Sequence, residues 1–515
     1  MKRWTFLQSI RINVPAKRLT GLLLAGVMAA SLMACGKAEE EKEERVTLHI
    51  LSMRGVGEFP EGTDENNNPW VDYLKEKTGY DFEFTFYNQQ NAEDRNLLAS
   101  SGLTYDLISW PSDATADMVK LYSSGYLTAI DEYESVAPDA FGQVPEDVWR
   151  TVRQDGATIA LPSVSTTTGN TGMGIRADYL EKVGKEMPET FEEFKDVLIA
   201  FRDGDPDGNG VNDTIPLGGA IPFQQTIEMF QAFNGITAEY DVDENGKVFY
   251  SLDTEKGRRM VAMMNEFYGE GLVDREAPTM NRDLYLQRVT NGNVACAPMW
   301  WWIKRQTDNS FAKSLGLESA EESPMKWIDP IFTNVDGEPL RFAPVQASDH
   351  VIIFPADGNT EEAMKFLNLL VTEPVNEYMV FGKEGEHWER NQDGSRKKLP
   401  LYDEESYRWH YCDGLLYDAQ IMQESDGSPE NAAWYWPVQD FAGDYSKLSV
   451  YYRVPPLKDE TALAYSELDT YVRVELTKFM MGERSLEEYD SFIQELYDNY
   501  QLQTICDELT EKYNQ

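Results

Sequence analysis

Val46-Thr47-Leu48-His49-Ile50-Leu51, then Trp70-Val71-Asp72-Tyr73-Leu74 up to Gly79, then Tyr80-Asp81-Phe82-Glu83-Phe84-Thr85-Phe86 make up the opening of the ordered chain. The first run is β-branched and apolar, which suits a buried strand, and the third alternates with period two as a half-buried strand does. The middle run has helical spacing and ends at a glycine, the residue that most readily stops a helix. Strand, helix, strand predicts a βαβ unit. The pattern recurs through Asp106-Leu107-Ile108-Ser109 and the helix-like Met118 to Tyr122, so the amino-terminal part reads as α/β. His49 reads as a packed or capped strand residue.

Working outward, two capping boxes mark later helices: Thr190 with Glu193, and Ser485 with Glu488. In each, the two side chains three residues apart reciprocally bind free backbone amides. Phe194, Val197, Leu198 and Phe201 follow the first box; Tyr489, Phe492, Ile493, Leu496 and Tyr497 follow the second. Both sets are one-sided core stripes, as are Met260, Met263, Met264 and Phe267.

Upstream of Val46, Lys2, Arg3, Arg11, Lys17 and Arg18 precede the apolar run Leu22 to Ala30, and Leu32-Met33-Ala34-Cys35 follows. That order reads as a signal peptide over 1–34 ending in a lipobox, with Cys35 the lipidation site carrying diacylglycerol and an amino-terminal acyl chain such as palmitate. A plain secretory signal with a chance cysteine is the alternative. The apolar run is shorter than the roughly 20 residues of a spanning helix, whereas two or three acyl chains suffice for attachment. Residues 35–45, rich in Glu and Lys without apolar periodicity, read as an acidic, solvated tether.

Among 515 residues, 89 acids outweigh 46 lysines and arginines for a formal charge of −43. Such a field repels nucleic acid and anionic headgroups, so a role on DNA or hugging a membrane surface is not expected, and solubility outside a cell is the other reading of the charge. After Cys35 only Cys296, Cys412 and Cys506 remain, which is no disulfide scaffold or zinc pattern. With 42% hydrophobic residues the chain can build two or three domain-sized cores.

Asp205-Pro206-Asp207-Gly208-Asn209-Gly210-Val211-Asn212-Asp213 has oxygen-bearing side chains at positions 1, 3, 5 and 9, glycine at 6, and the Val211 carbonyl at 7. This is EF-hand-type spacing and predicts a structural Ca2+ held by Asp205, Asp207, Asn209, Val211 and Asp213. Position 12 is Pro216, so the bidentate glutamate is missing. An Asp/Gly/Asn turn without metal is the other reading.

Several segments together carry a resemblance. They are the lipobox, Asn68-Pro69-Trp70 with Lys77-Thr78-Gly79, Tyr105-Asp106-Leu107-Ile108, Ser124-Gly125-Tyr126-Leu127, and Asp155-Gly156 leading to Ala160-Leu161-Pro162. Ile175-Arg176-Ala177-Asp178-Tyr179-Leu180 with Pro188-Glu189-Thr190, Glu270-Gly271-Leu272-Val273-Asp274 and Gly385-Glu386-His387-Trp388 complete the set. Over nearly its whole length the chain resembles the family 1 extracellular solute-binding proteins, nearest to the large lipoproteins that accompany carbohydrate importers. That subgroup commonly has Glu after the ninth-position Asp of the calcium loop, where this chain has Thr214.

The resemblance implies a periplasmic-binding-protein-like type 2 fold: two α/β lobes joined by a multi-crossing hinge. The expected lobes are 46–160 plus 350–380, and 161–349 plus 381–515. Crossings are expected near Ile159 to Pro162, near Val351 to Pro355, and after a helix from Glu361 to Val371. The implied function is a lipid-anchored receptor, monomeric and on the extracellular face of the membrane. It would bind an oligosaccharide or other small solute and deliver it to ABC-transporter permease subunits.

Sugar capture calls for aromatic faces with polar neighbours in a cleft. Trp300, Trp301 and Trp302 in succession cannot all enter one core. Trp434 and Trp436 repeat the situation, and Trp110 sits at the carboxyl end of a predicted strand, where ligands of open α/β sheets collect. For each ring, core filling is the alternative. Arg176 and Glu386 are the polar candidates, with a structural salt bridge and a loop tie as their alternatives. Other classes are a peptide receptor of the same fold, a glycan sensor or adhesin, and a glycoside hydrolase. No G-x-S-x-G, H-E-x-x-H or G-x-x-x-x-G-K-[ST] motif is present and only four histidines occur, so an enzyme is not expected.

Overall fold

Among the described residues, alternating strands and capped helices build two main sheets, one of five strands and one of four, with three two-stranded ribbons beside them. The computed structural model describes residues 45–54, 58–88, 95, 97, 103–112, 114–164, 171–220, 225–328, 332–342, 348–392, 394–426 and 448–515. Cys35, the signal segment 1–34, Trp434 and Trp436 lie outside the described residues. Among the described residues no helix is long and apolar enough to cross a membrane.

In the first sheet, Thr47–Met53 lies between Asp81–Tyr87 and Leu107–Pro111 and pairs with both in parallel. The helix Pro69–Thr78 supplies the crossover, as the sequence predicts. Asn68 caps its start by accepting from the amides of Trp70 and Val71, and Gly79 ends it at φ 78°. That left-handed position carries no Cβ penalty in glycine. Ser348–Ile353 then enters antiparallel between Leu107–Pro111 and Leu161–Val164. The Asp106 carboxylate accepts from the amides of His49 at 2.7 Å and Asn359 at 2.8 Å, tying early and late segments together. The His49 side chain is half-buried, 3.3 Å from Glu83, and its backbone amide is the one that Asp106 caps.

The second sheet runs Met325–Trp327, Thr171–Arg176, Val294–Trp300, Ile215–Leu217. Val294–Trp300 is antiparallel to Thr171–Arg176 and parallel to Ile215–Leu217. Around it the helix Phe191–Asp203 carries the first capping box: Thr190 Oγ1 accepts from Glu193 N at 3.2 Å and Glu193 Oε2 from Thr190 N at 3.3 Å. The Ser485–Glu488 box is present too and starts a short 3-10 turn that continues as Tyr489–Tyr500. Both stripes and the Met260, Met263, Met264 and Phe267 set belong to one core, with Tyr497 partly buried against it.

The chain passes between the sheets at other points than expected. Leu161–Val164 still belongs to the first sheet, so the first passage comes after Val164. Val351 to Ile353 lies inside a strand, and the second passage comes before Ser348. Tyr407, Tyr411, Leu415, Leu416 and Leu448 pack in the first core, whereas Val450, Val454 and Leu457 pack in the second, so the third passage lies at 448–457. The physical reason is that sheet pairing and side-chain burial bind Pro162 and the 407–416 helices to partners distant in sequence. Residues 45–515 nonetheless form one compact unit.

Thr190→Ala removes one acceptor of the capping box and is expected to cost about 1 kcal/mol, with Thr190→Gly costing a few tenths. Chemical denaturation of both variants checks the order.

Candidate functional site

The predicted cation loop follows the helix Phe191–Asp203. Asp205 has φ 45°, and Gly208 and Gly210 have φ 76° and 86°, so the chain coils tightly enough to turn alternate side chains inward. Asp205 accepts from the amides of Asn209 at 3.1 Å and Gly210 at 2.9 Å. The Asn209 Nδ2 group donates to Asp207 Oδ2 at 2.9 Å and Asp213 Oδ1 at 3.0 Å. Partial desolvation raises the Asp205 carboxyl, but its contact with Asp207 and donation from Gly210, Asn209 and Gly208 outweigh this and leave it lowered. Hydrogen bonds thus bring the side chains at positions 1, 3, 5 and 9 together within one loop. Thr214 Oγ1 beside them is buried without a hydrogen bond. Among the described residues no three acidic, His or Cys side chains close into a metal cage, and the Asn209 amide nitrogen stands between Asp207 and Asp213.

Trp300 ends the strand Val294–Trp300 and Trp301 begins the helix Trp301–Leu315. The triplet thus spans a change from strand to helix. Trp300 and Trp302 are half-buried with centroids 5.8 Å apart; nothing is described of the Trp301 side chain. Trp300 pairs in register with Thr171, whose hydroxyl lies 3.5 Å from the buried Glu228 carboxylate. Arg282 lies 5.6 Å from the Trp302 centroid, its pKa lowered by burial. This corner joins two aromatic faces, a guanidinium, a hydroxyl and a carboxylate at the carboxyl end of a strand. Arg282 and Glu228 were not singled out from the sequence, and only the nearness of their elements to Trp300 in the sheet exposes them.

Other candidates stand elsewhere. Trp110 lies in the strand Leu107–Pro111, but its ring is 1% exposed, with Nε1 donating to Ala114 O at 3.1 Å and the Arg95 guanidinium 4.2 Å from its centroid. Arg176 forms the salt-bridge alternative: Nε and Nη2 bind Asp178 at 2.7 and 2.6 Å, and the guanidinium stacks 3.9 Å from Tyr179. Glu386 is exposed, and the ammonium of Lys383 bound to it holds its carboxyl below the usual range. Its neighbour His387 is buried, accepting from Lys383 N at 3.1 Å and lying 3.0 Å from Glu405. The structure therefore does not gather Trp110, Arg176 and Glu386 with Trp300 and Trp302.

Two small cavities are present among the described residues. One of about 70 Å³ is lined by Glu228, Glu239, Tyr250, Asp469 and Arg473 among others, and one of about 30 Å³ by Ser112, Thr115, Ser348, Tyr451, Tyr452 and Leu457 among others. Both fall far below the roughly 300 Å³ of a small-molecule pocket. In the larger, burial and then the Asp469 charge push the Glu239 carboxyl up to about 7, against the pull of Arg473. The Tyr465 hydroxyl donates to it at 3.4 Å, and the Tyr465 ring stacks on Tyr451 with centroids 4.1 Å apart. The folded state therefore keeps a proton that the unfolded chain releases near its ordinary 4.5. This stabilisation is complete below that value and is lost as pH rises towards 7. Glu239→Gln is expected to gain stability relative to the parent between pH 4.5 and pH 8. Melting curves at the two pH values test this, and an equal difference at both refutes it.

A family model described as bacterial extracellular solute-binding protein matches residues 59–377. Over 503 residues, 93% of this chain and 94% of the relative, the sequence is 22% identical to lipoprotein LipO of Bacillus subtilis (strain 168). It is 30% identical over 288 residues to the fructooligosaccharide ABC transporter substrate-binding protein FusA of Streptococcus pneumoniae serotype 4, covering 50% of this chain and 53% of that one. The solved structure of S. pneumoniae FusA in complex with kestose superposes with a TM-score of 0.70 at 20% identity, over 91% of this chain and 99% of that chain. An EF-hand mutant of FusA in complex with fructo-nystose gives 0.69 over the same shares. The two sheets with three passages between them are thus the periplasmic-binding-protein-like fold. On a match spanning more than half its length, the chain belongs to the bacterial extracellular solute-binding proteins.

Proposed function

We propose that the chain captures an oligosaccharide outside the cell and delivers it to the permease subunits of an ABC transporter. The observation that carries this reading is the 30% identity to a fructooligosaccharide-binding substrate receptor. The side-by-side Trp300 and Trp302 beside Arg282 support it, because sugar C–H faces stack on such rings while polar neighbours bind hydroxyls. Each sheet with its core makes one lobe, and the segments that pass between the two sheets form the hinge at which the lobes close as a monomer. In this reading the protein binds and releases its solute without chemistry.

Cys35 carries the acyl chains, palmitate among them, that hold the protein at the membrane, and 35–45 is the tether. The loop oxygens of Asp205, Asp207, Asn209 and Asp213 with the Val211 carbonyl hold a structural Ca2+, and Thr214 Oγ1 is available in place of the missing glutamate. Bound there, the cation would neutralise carboxylates that the fold brings together.

Melting of the Arg45–Gln515 portion in calcium, screened against oligosaccharides with peptides as controls, tests the solute class. Ligand at about 100 times its Kd adds roughly 2.7 kcal/mol, expected as a rise of a few degrees. A response to peptides alone would overturn the carbohydrate reading. Calcium is expected to raise the melting temperature of the parent and not of an Asp205→Asn/Asp207→Asn variant.

A further inference from the structure

Five lysine or arginine side chains are buried among the described residues: Arg95, Arg176, Lys304, Arg408 and Arg484. Four have a carboxylate partner. Arg95 meets Asp117 at 3.3 Å, Arg176 meets Asp178, Lys304 meets Asp308 and Arg484 meets Glu475, the last three at 2.6 Å. Arg408, 0% exposed, has none among the described residues.

Arg408 closes the short turn Ser406–Arg408 before the helix Trp409–Cys412. Its Nη1 donates to the Tyr402 carbonyl, while Nε and Nη2 reach no acceptor. The guanidinium lies 3.8 Å from the Tyr402 ring centroid and 4.7 Å from that of Trp409. The Tyr402 hydroxyl is also buried without a hydrogen bond. A second cation, Lys398 Nζ, lies 4.5 Å from the same Tyr402 centroid and donates to the Ser425 carbonyl. Three unused donors and two positive charges therefore surround one ring. Aromatic faces recover only part of the cost of burying a guanidinium, and a buried charge is normally paired.

We propose that Arg408 and Tyr402 form an internal halide site that takes a chloride ion. The ion accepts from Arg408 Nε and Nη2 and from the Tyr402 hydroxyl, with Lys398 adding positive potential. Enclosure selects the ligand. Arg408 is fully buried beside the Phe381, Trp388, Tyr402 and Trp409 cluster, which favours a monatomic anion over a carboxylate carried on a sugar chain. Selectivity comes from these local donors, since the molecule as a whole, at −43, repels anions. The site belongs to a different apolar cluster from Trp300 and Trp302, so it stands apart from the solute reading.

Melting of the Arg45–Gln515 portion in sodium chloride or bromide against sodium gluconate, at one fixed ionic strength, tests the proposal. The expected result is a melting temperature that climbs with each tenfold increase in halide above Kd. Arg408→Met and Tyr402→Phe should abolish or weaken the climb. Crystals grown in bromide should give an anomalous peak within hydrogen-bond reach of Arg408 Nε and Nη2. This peak and Tyr402→Phe decide the matter if Arg408→Met does not fold. Equal melting in halide and gluconate with no bromide peak overturns the site, as does a halide response undiminished in Arg408→Met.

Discussion

Everything else in this fold is arranged around the pairing of Ser348–Ile353 with two strands that precede residue 165. Its backbone amides and carbonyls bind Leu107–Pro111 on one side and Leu161–Val164 on the other, so the first sheet is whole only when the chain has built the second and come back. Buried backbone groups must find partners, and here those partners are more than 180 residues away. That requirement holds the halves within reach while leaving each its own apolar core. Because several segments run between the cores, a small rotation at those segments can separate the halves without exposing either interior.

Where local chemistry decides, the sequence was readable. Period-two alternation revealed Asp81–Tyr87, Gly79 marked a helix end, and Thr190 with Glu193 announced a helix start, because each signal acts within four residues. The first two passages differ from expectation by several residues and the third by roughly 80, because pairing and burial against partners distant in sequence decide which sheet Leu161–Val164 and the 407–416 helices join. The Asp205 loop was legible as spacing, but the position of the Asn209 amide between Asp207 and Asp213 was not.

Site residues were harder, for a physical reason. A tryptophan looks the same in sequence whether it fills a core, as Trp110 does, or stands half-buried beside another ring, as Trp300 and Trp302 do. Only the packing around it differs. Arg176 shows the same ambiguity for charge: the fork that could grip a ligand is engaged by Asp178, two residues along the chain. Glu239 gave no local sign at all, because burial and the approach of Asp469 from a helix some 230 residues later create its affinity for protons.

The late return of Ser348–Ile353 also bears on how such a chain is made. Polypeptides emerge amino terminus first, so for as long as residues before 348 alone are available, Leu107–Pro111 and Leu161–Val164 each present an open edge. Open edges are templates for mispairing with a neighbouring chain. The edge of Leu107–Pro111 is therefore covered only once about two-thirds of the polypeptide has been made, and one six-residue strand covers it.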